Sequence, residues 1–222
     1  MPLYPIRPLP AEPALDGDWS DPLWKPIPAA PVNRFHPDSP NRHPRTRVKL
    51  ASGPRGLHLF FRVEDRQVIA RCTRYQEQVC KDSCVEFFVE PDGNRGYFNF
   101  EFNCTGVLLL YHITDSTRTP GGFRGRRAIP LALGRQVKTH ASFAGSILKA
   151  IPGPLVWHLQ AFIPFRLFES CLGPIQPLAG KTWRGNFYKC GSDQRHYASW
   201  APIGTLNFHQ PCHFAPLVFE NP

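Results

Sequence analysis

The sequence predicts an all-β protein, a single antiparallel, jelly-roll-like β-sandwich over residues 1–222 with roughly eight to ten strands, long loops and at most short helices. Three observations favour this fold. Apolar and polar residues alternate with a period of two in several segments. The 25 prolines and 17 glycines leave few stretches long enough for a helix bundle. Aromatic residues make up 13% of the chain and can fill a substantial core.

The chain begins with a proline-rich segment, residues 1–50, which we expect to form an N-terminal arm packed on the sandwich. Trp19 and Trp24 are expected to anchor this arm by burial. Residues 56–63 alternate apolar with mixed side chains, and we predict a strand there with one dominant core face. A short helix is predicted at residues 165–171.

The strongest local pattern predicts a three-stranded meander within residues 83–113. Two alternating segments, residues 84–90 and 97–103, are separated by a polar, glycine-containing loop. One register pairs apolar residues throughout: Val85 with Phe102, Phe87 with Phe100, and Val89 with Phe98. The same register places Glu86 directly opposite Glu101 on the other face of the hairpin.

Two directly opposed carboxylates repel each other, so the Glu86 and Glu101 pair needs compensation. An arginine such as Arg62, a bound cation such as calcium, or a shared proton would each supply it. Paired carboxylates also serve as the acid and base of glycosidases. The remaining alternative is a solvated outer face on which arginines pair with the glutamates.

The seven cysteines are odd in number, and most sit in apolar or strand-like runs. We therefore expect reduced, mostly buried thiols rather than a disulfide framework. The first residues have no signal-peptide pattern and no apolar run reaches about 18 residues, so we expect a cytoplasmic protein that does not associate with membranes. A chain trimmed at its start would instead be consistent with an extracellular or periplasmic location.

Cys80-x3-Cys84 and His209-x3-His213 offer ligand types and local spacings that zinc accepts. More than a hundred residues separate the two pairs, and Cys84 falls within a predicted strand. The alternative is two core thiols and two loop histidines.

The net charge of +9 is compatible with a nucleic-acid or other polyanion partner. The arginines are scattered, however, apart from a cluster in a glycine-rich loop formed by Arg118, Arg124, Arg126 and Arg127. We therefore favour a protein with a positive surface and do not expect nucleic acid as its partner. The sequence contains no Gly-x-Ser-x-Gly nucleophile elbow, which argues against an enzyme that uses nucleophilic catalysis. It also contains no glycine-rich phosphate-binding motif, which argues against a nucleotide-binding enzyme.

Residues 183–209 mix aromatic rings with amide, imidazole and guanidinium groups. Rings can cover the C–H face of a sugar while polar groups bond its hydroxyls, and the same groups suit single-stranded nucleic acid. We assign Trp183 and Tyr188 to the core. We assign Trp200 and the loop of residues 207–209 to a functional site, because loops at the end of a sandwich carry sites.

Eight segments of the chain, taken in order, resemble the family 9 carbohydrate-binding modules and their single-domain relatives, which belong to the wider DOMON-like β-sandwiches. The segments are Leu15-Asp-Gly-x-x-x-Asp-Pro-Leu-Trp24, Leu57-x-Leu-x-Phe-x-Val-x-Asp65, Lys81-Asp-Ser-x-Val-Glu-Phe-Phe-Val-Glu-Pro91, Tyr97-x-Asn-x-Glu-x-Asn-x-x-Gly106, Ile163-Pro-Phe165, Trp183-x-x-Asn-Phe-Tyr-Lys-Cys190, Ser199-Trp-x-Pro202 and Asn207-Phe-His-x-Pro211.

This resemblance implies a sandwich that binds saccharides, in the best-known members at a chain end and between two aromatic rings. It also implies a structural calcium ion in some members. Lys81 and Asp82 match the basic and acidic pair that precedes the meander and would bond sugar hydroxyls. Asn207 matches a polar residue of the last long loop. The first ring would be supplied by Tyr75, before Lys81, and the second by residues near Asn207.

We therefore expect non-catalytic binding of a mono- or oligosaccharide end, linked to carbohydrate catabolism. The expected cleft is built from Tyr75, Lys81, Asp82, Asn103, Trp200, Asn207 and His209. Glu86 and Glu101 are expected to hold calcium or to form an arginine-compensated pair. The alternatives are a glycoside hydrolase that uses Glu86 and Glu101, and a basic binder of polyanions or nucleic acid.

Overall fold

A computed structural model of the chain describes residues 1–39, 43–91, 93, 95–176, 178–191 and 195–221. These residues form sixteen strands and two short helices. The strands are β1 (Tyr4–Pro8), β2 (Ala30–Val32), β3 (Arg34–Phe35), β4 (Arg45–Ser52), β5 (Gly56–Ala70), β6 (Cys84–Glu90), β7 (Tyr97–Asn103), β8 (Leu108–Ile113), β9 (Arg118–Thr119), β10 (Gly122–Phe123), β11 (Arg126–Ala128), β12 (Lys138–Ala141), β13 (Ile147–Pro164), β14 (Thr182–Gly191), β15 (His196–Ser199) and β16 (Ala215–Phe219). The helices are α1 (Leu131–Gly134) and α2 (Phe165–Leu172).

The all-β prediction is confirmed, and α2 confirms the short helix expected at residues 165–171. The strands outnumber the predicted eight to ten because five of them are only two or three residues long. Pieces this short have too few residues to show an alternation in sequence. Neither α1 nor α2 has the length or the apolar run needed to span a bilayer, within the part of the chain that the structure describes.

Fourteen strands form one curled sheet with the order β11-β8-β7-β6-β14-β16-β1-β4-β5-β13-β12, with β2, β3 and β15 paired at its sides. Strand β1 joins the two halves of this sheet, because it pairs with β16 on one side and with β4 on the other. Both of these pairings are parallel, so the sheet is mixed rather than wholly antiparallel. No hairpin connects β1 to either neighbour, and hairpins are what make direction predictable from local sequence.

The proline-rich segment 1–50 is therefore built into the sheet through β1 and β4. Tyr4 on β1 is buried, and its hydroxyl donates to the Pro28 carbonyl at 2.7 Å and accepts from the Leu50 N–H at 2.7 Å. Trp24 is 1% exposed and Trp19 is half-buried, and both rings pack against Phe60. Both tryptophans thus contact the body of the protein, as expected.

The predicted register of the meander is confirmed at every expected pair of β6 and β7. The inner face of these strands is apolar, and β14 extends it on the other side of β6. Phe187 on β14 stacks on Phe87 with ring centroids 5.2 Å apart and meets Phe61 of β5 at 6.3 Å. The two halves of the curled sheet therefore enclose one large aromatic core.

The outer face of β6, β7 and β14 is covered rather than solvated. This face carries the buried rings of Phe88, Tyr97 and Tyr188. They pack with Phe214 of the closing loop, which comprises residues 200–214 between β15 and β16. Phe208 of the same loop stacks on Tyr188, with ring centroids 4.1 Å apart and an angle of 9° between the rings. The closing loop covers the outer face of these three strands, which therefore forms the base of a cavity.

Candidate functional site

The base of the cavity is formed by polar side chains on neighbouring strands. Glu86 on β6 lies opposite Glu101 on β7 and opposite Tyr188 on β14. Residues two apart on a strand face the same side, so Cys84 shares the outer face with Glu86. Cys190 on β14 lies directly opposite Cys84. Two carboxyls and two thiols therefore come together at one place.

The walls of the cavity come from loops far away in sequence. Arg118 at the start of the β9–β10 hairpin reaches Asn207 of the closing loop, with Nη2 3.3 Å from Oδ1. The Arg118 guanidinium also lies 5.0 Å from the centre of the Phe123 ring. The cavity has a volume of about 180 Å³. It is lined by Cys80, Glu86, Glu101, Arg118, Cys190, Tyr197, Leu206, Asn207, Phe208 and His209.

Glu86 and Glu101 are 2% and 5% exposed, so water does not screen their repulsion. Burial raises the pKa of both carboxyls well above the ordinary value, and the charge of Glu86 raises the pKa of Glu101 further. Arg62, the sequence-based candidate for compensation, instead pairs with Glu64 on β5 in the other half of the sheet. A retained proton is therefore the compensation that this geometry favours.

The donor set around the two glutamates does not fit calcium. Calcium takes six to eight oxygen ligands. The Asn99 side chain is already committed, because its Nδ2 donates to Glu101 at 2.7 Å and its Oδ1 accepts from the Tyr111 N–H at 2.8 Å. Among the residues that the structure describes, the metal-ligating atoms grouped with Glu86 are the sulfurs of Cys84 and Cys190, which calcium does not favour.

His209 lies at the wall of the cavity as a neutral imidazole. Its Nδ1 is 2.9 Å from the Tyr97 hydroxyl, and its ring packs on Phe123 and Phe88. Burial, with a smaller contribution from the Arg118 charge, lowers the pKa of His209 to about 3. The ring is therefore an uncharged polar surface at neutral pH.

Asp82 and Asn103 lie side by side outside the cavity and brace two loops. The Asp82 carboxylate accepts from the backbone N–H groups of Arg71 and Cys72 and from Asn103 Nδ2, at 2.9, 3.0 and 2.9 Å. Asn103 Oδ1 in turn accepts from the N–H groups of Thr105 and Val107. Asp82 is 1% exposed and Asn103 is fully buried. Their polar atoms are thus engaged within the protein.

We expect Asp82→Ala to lower the free energy of unfolding by about 3 kcal/mol, because three donors lose a buried acceptor and each such loss costs about 1–3 kcal/mol before relaxation. Urea unfolding followed by circular dichroism measures this loss. Asp38→Ala is the matched control, since its carboxylate is 59% exposed and should cost little. Wild-type stability in Asp82→Ala, together with weakened sugar binding, would contradict this structural role.

The remaining predicted site residues are also separated from one another. The Tyr75 hydroxyl donates to the Ile129 carbonyl at 2.7 Å, and its ring lines a different depression beside Gly134. Trp200 is 6% exposed and belongs to the inner core, not to a cleft. Lys81 is exposed at the end of the 3₁₀ turn Val79–Lys81.

Of the seven residues expected around one cleft, Asn207 and His209 line the cavity described above. Glu86 and Glu101, which we had considered as a metal or arginine-paired site, line the same cavity. Phe208 also lines the cavity and belongs to the loop of residues 207–209 that we assigned to a site, whereas Tyr197 and Cys190 were not predicted as lining residues. The only signal for Arg118 was its membership of the arginine cluster, and Cys190 carried none because its partner strand is distant in sequence.

Known proteins with a similar sequence or structure share the fold described above. A family model for carbohydrate-binding family 9 matches residues 26–219. A crystal structure of a proposed carbohydrate-binding protein from Bacteroides uniformis is 31% identical, with a TM-score of 0.84 over 97% of this chain and 98% of that chain. A comparison with curated protein sequences finds no significant match.

Two structures of a family 9 carbohydrate-binding module from Caldicellulosiruptor kristjanssonii share the fold at lower identity. The complex with cellotriose is 13% identical, with a TM-score of 0.66 over 100% of this chain and 95% of that chain. The complex with glucose is 14% identical, with a TM-score of 0.64 over 98% and 96%. The fold and the match over most of the chain define a carbohydrate-binding-module β-sandwich, and the chain belongs to carbohydrate-binding family 9.

Proposed function

We propose that this protein binds the end of a saccharide, without catalysis, in the cavity between the outer face of β6, β7 and β14 and the closing loop. The observation that carries the proposal is the mixed lining of that cavity. Tyr197 and Phe208 offer ring surface, and Arg118, Asn207 and the two glutamates offer hydrogen-bonding groups. Membership of a carbohydrate-binding family supports the same ligand class.

The chemistry of the lining suits a hydroxyl-rich neutral ligand. Glutamates that keep a proton donate as well as accept hydrogen bonds, as sugar hydroxyls require from their partners. Asn207 offers both an amide donor and an acceptor, while Arg118 only donates. Lys81 lies one residue from Cys80 of the lining and is proposed to reach a ligand at the rim.

The size of the cavity supports recognition of one sugar ring rather than a long chain. Its volume of about 180 Å³ is below the roughly 300–1,000 Å³ typical of sites for drug-sized ligands. A terminal ring would enter, and the rest of an oligosaccharide would remain outside. The cellotriose and glucose complexes of the Caldicellulosiruptor kristjanssonii module support trying these two sugars first. A role in carbohydrate catabolism is part of the proposal.

Calorimetric titration with glucose, cellotriose and a wider sugar panel tests the proposal, at two salt concentrations and with calcium or a chelator. We expect saturable binding with little dependence on salt. Removing a hydrogen bond from a charged group costs about 1.5–3 kcal/mol, so Arg118→Gln should weaken affinity by roughly tenfold or more. Asn207→Ala should weaken it as well. Arg127→Gln is the matched control, because Arg127 is exposed on β11 outside the lining.

The alternatives predict different results in the same experiments. Absence of heat with every sugar would overturn the proposal. Affinity for polyanions that falls steeply with salt would identify a basic polyanion binder instead. Sugar release that disappears in Glu86→Gln or Glu101→Gln would identify a hydrolase.

A further inference from the structure

The strongest unassigned feature of the structure is a group of two thiols and a carboxyl at the base of the cavity. Cys190 Sγ lies 3.0 Å from Glu86 Oε1, and Cys84 Sγ lies 3.9 Å from the same oxygen. All three ligand atoms lie within 4.8 Å of one another. The pairing of β6 with β14 fixes this arrangement, because it sets Cys84 and Cys190 directly opposite each other.

These separations are close to those of ligand atoms around one small cation. A tetrahedral zinc ion with Zn–S near 2.3 Å and Zn–O near 2.0–2.2 Å holds neighbouring ligand atoms roughly 3.4–3.8 Å apart. The observed distances of 3.0 and 3.9 Å lie on either side of that range. Small side-chain rotations would therefore complete three corners of a tetrahedron without moving the strands.

The fourth corner is accessible from the cavity. Glu86 and Cys190 both line the cavity, as does Cys80. The Cys190 sulfur is also 3.6 Å from the Cys80 carbonyl oxygen, which brings the 3₁₀ turn Val79–Lys81 close to the group. A metal ion would thus have a path of entry and an open position for water or a further ligand.

A metal ion would replace the protons that these groups hold in the metal-free protein, because thiol and carboxyl ligands bind metals in their deprotonated forms. Lys189 is adjacent in sequence to Cys190, but residues next to each other on a strand face opposite sides. Its Nζ is 2.7 Å from His196 Nε2 and 5.6 Å from the centre of the Trp157 ring, on the core side. On the outer face, a divalent cation would neutralise two of the three negative charges that two thiolates and a carboxylate carry.

We propose that Cys84, Glu86 and Cys190 form a binding site for a thiophilic divalent cation, with zinc as the expected ion and its fourth position open to the cavity. The ligand set pairs thiolates, which soft and borderline metals prefer, with one carboxylate. This inference goes beyond saccharide binding and does not rest on it. Only Cys84, of the four residues in the two sequence motifs considered for zinc, takes part in this group of described residues.

Cobalt substitution of the metal-free, reduced protein tests the site with the metal alone. The thiols should be kept reduced with a phosphine that does not chelate metals. We expect one cobalt ion per chain, with a thiolate-to-cobalt absorption band in the near ultraviolet and tetrahedral bands in the visible. Added zinc should displace the cobalt and remove these bands. Loss of a ligand should weaken zinc affinity by at least about tenfold in Cys84→Ser, Cys190→Ser and Glu86→Gln, since even outer partners of metal ligands cost 10–100-fold.

Two cysteine variants serve as matched controls. Cys104→Ser removes a buried thiol from the core, and Cys212→Ser removes an exposed thiol. Both should leave the cobalt spectrum and zinc affinity unchanged. Circular dichroism establishes folding of each variant, and Glu86→Gln keeps both thiols should a serine variant fail to fold.

The proposal is overturned if the folded wild-type protein binds no cobalt or zinc. It is also overturned if zinc affinity is unchanged in Cys84→Ser, Cys190→Ser and Glu86→Gln. Sugar titration in the presence of a chelator separates the two proposals. Sugar binding without a cobalt spectrum refutes only the metal site, and a cobalt spectrum without sugar binding refutes only the saccharide site.

Discussion

Replacing Trp200 with alanine is expected to lower the free energy of unfolding by about 3–5 kcal/mol, because large aromatic side chains in a core cost that much to remove. The Trp200 ring is 6% exposed and lies 5.4 Å from the Phe187 ring and 6.1 Å from the Tyr4 ring, centroid to centroid. Tyr4 belongs to the strand that joins the two halves of the sheet, so the cavity left by alanine would weaken that junction. Urea unfolding measures the loss.

Two variants make this prediction specific to packing. Trp200→Phe retains most of the buried ring and should lose less stability than the alanine variant. Trp19→Ala removes the same side chain from a half-buried position and should also lose less. Sugar affinity of folded Trp200→Ala should match wild type. Unchanged stability with lost sugar binding would show instead that the ring contacts the ligand.

The features of the fold that could be predicted depend on residues close to each other in sequence. The β6–β7 register followed from sequence because a one-residue slip would set glutamates against phenylalanines along the whole hairpin. The opposed Glu86 and Glu101 followed from the same argument. Local alternation contains this information, since the two strands are joined by one short loop.

The missed features depend on contacts between distant segments. The parallel pairing of β1 leaves no local trace, because β16 and β4 are remote from it in sequence. Trp200 was assigned to a site because it stands in a loop-like region, yet its backbone N–H bonds the Phe187 carbonyl at 2.9 Å and turns the ring into the core. A ring suited to stacking on sugar and a ring suited to a core have the same sequence signal.

Residues at the base of the cavity and in one of its walls were predicted from the sequence. Asn207 and His209 line the cavity together with Glu86 and Glu101. The loop of residues 207–209 had indicated the first pair, and the register of the β6–β7 hairpin had indicated the second. The family resemblance implied that Asp82 would bond sugar hydroxyls, and Asn103 was expected in the same cleft. The structure instead uses them to satisfy buried backbone donors, a demand that becomes visible only when the loops are in place.

In metal-free protein, the stability of Glu101→Gln relative to wild type is expected to rise with pH. Burial and the Glu86 charge raise the pKa of Glu101 well above its ordinary value of 4.5. Above pH 4.5 the folded protein therefore binds more protons than the unfolded chain, so wild-type stability falls as pH increases towards the folded-state pKa. Each proton retained only in the folded state contributes a slope of about 1.4 kcal/mol per pH unit. Glutamine cannot ionise, so the variant lacks this loss.

The variant must be compared with wild type at each pH, because His209 makes stability rise with pH whereas Glu101 makes it fall. Its pKa is lowered to about 3, so its neutral form favours folding more strongly as pH rises from 3 to the ordinary value of 6.5. That contribution is common to both proteins and cancels in their difference. Urea unfolding between pH 5 and 8, in chelator, measures the difference, and Glu220→Gln makes the same change at an exposed residue. A pH-independent difference for Glu101→Gln would mean that the buried pair is compensated by a charge rather than by a proton.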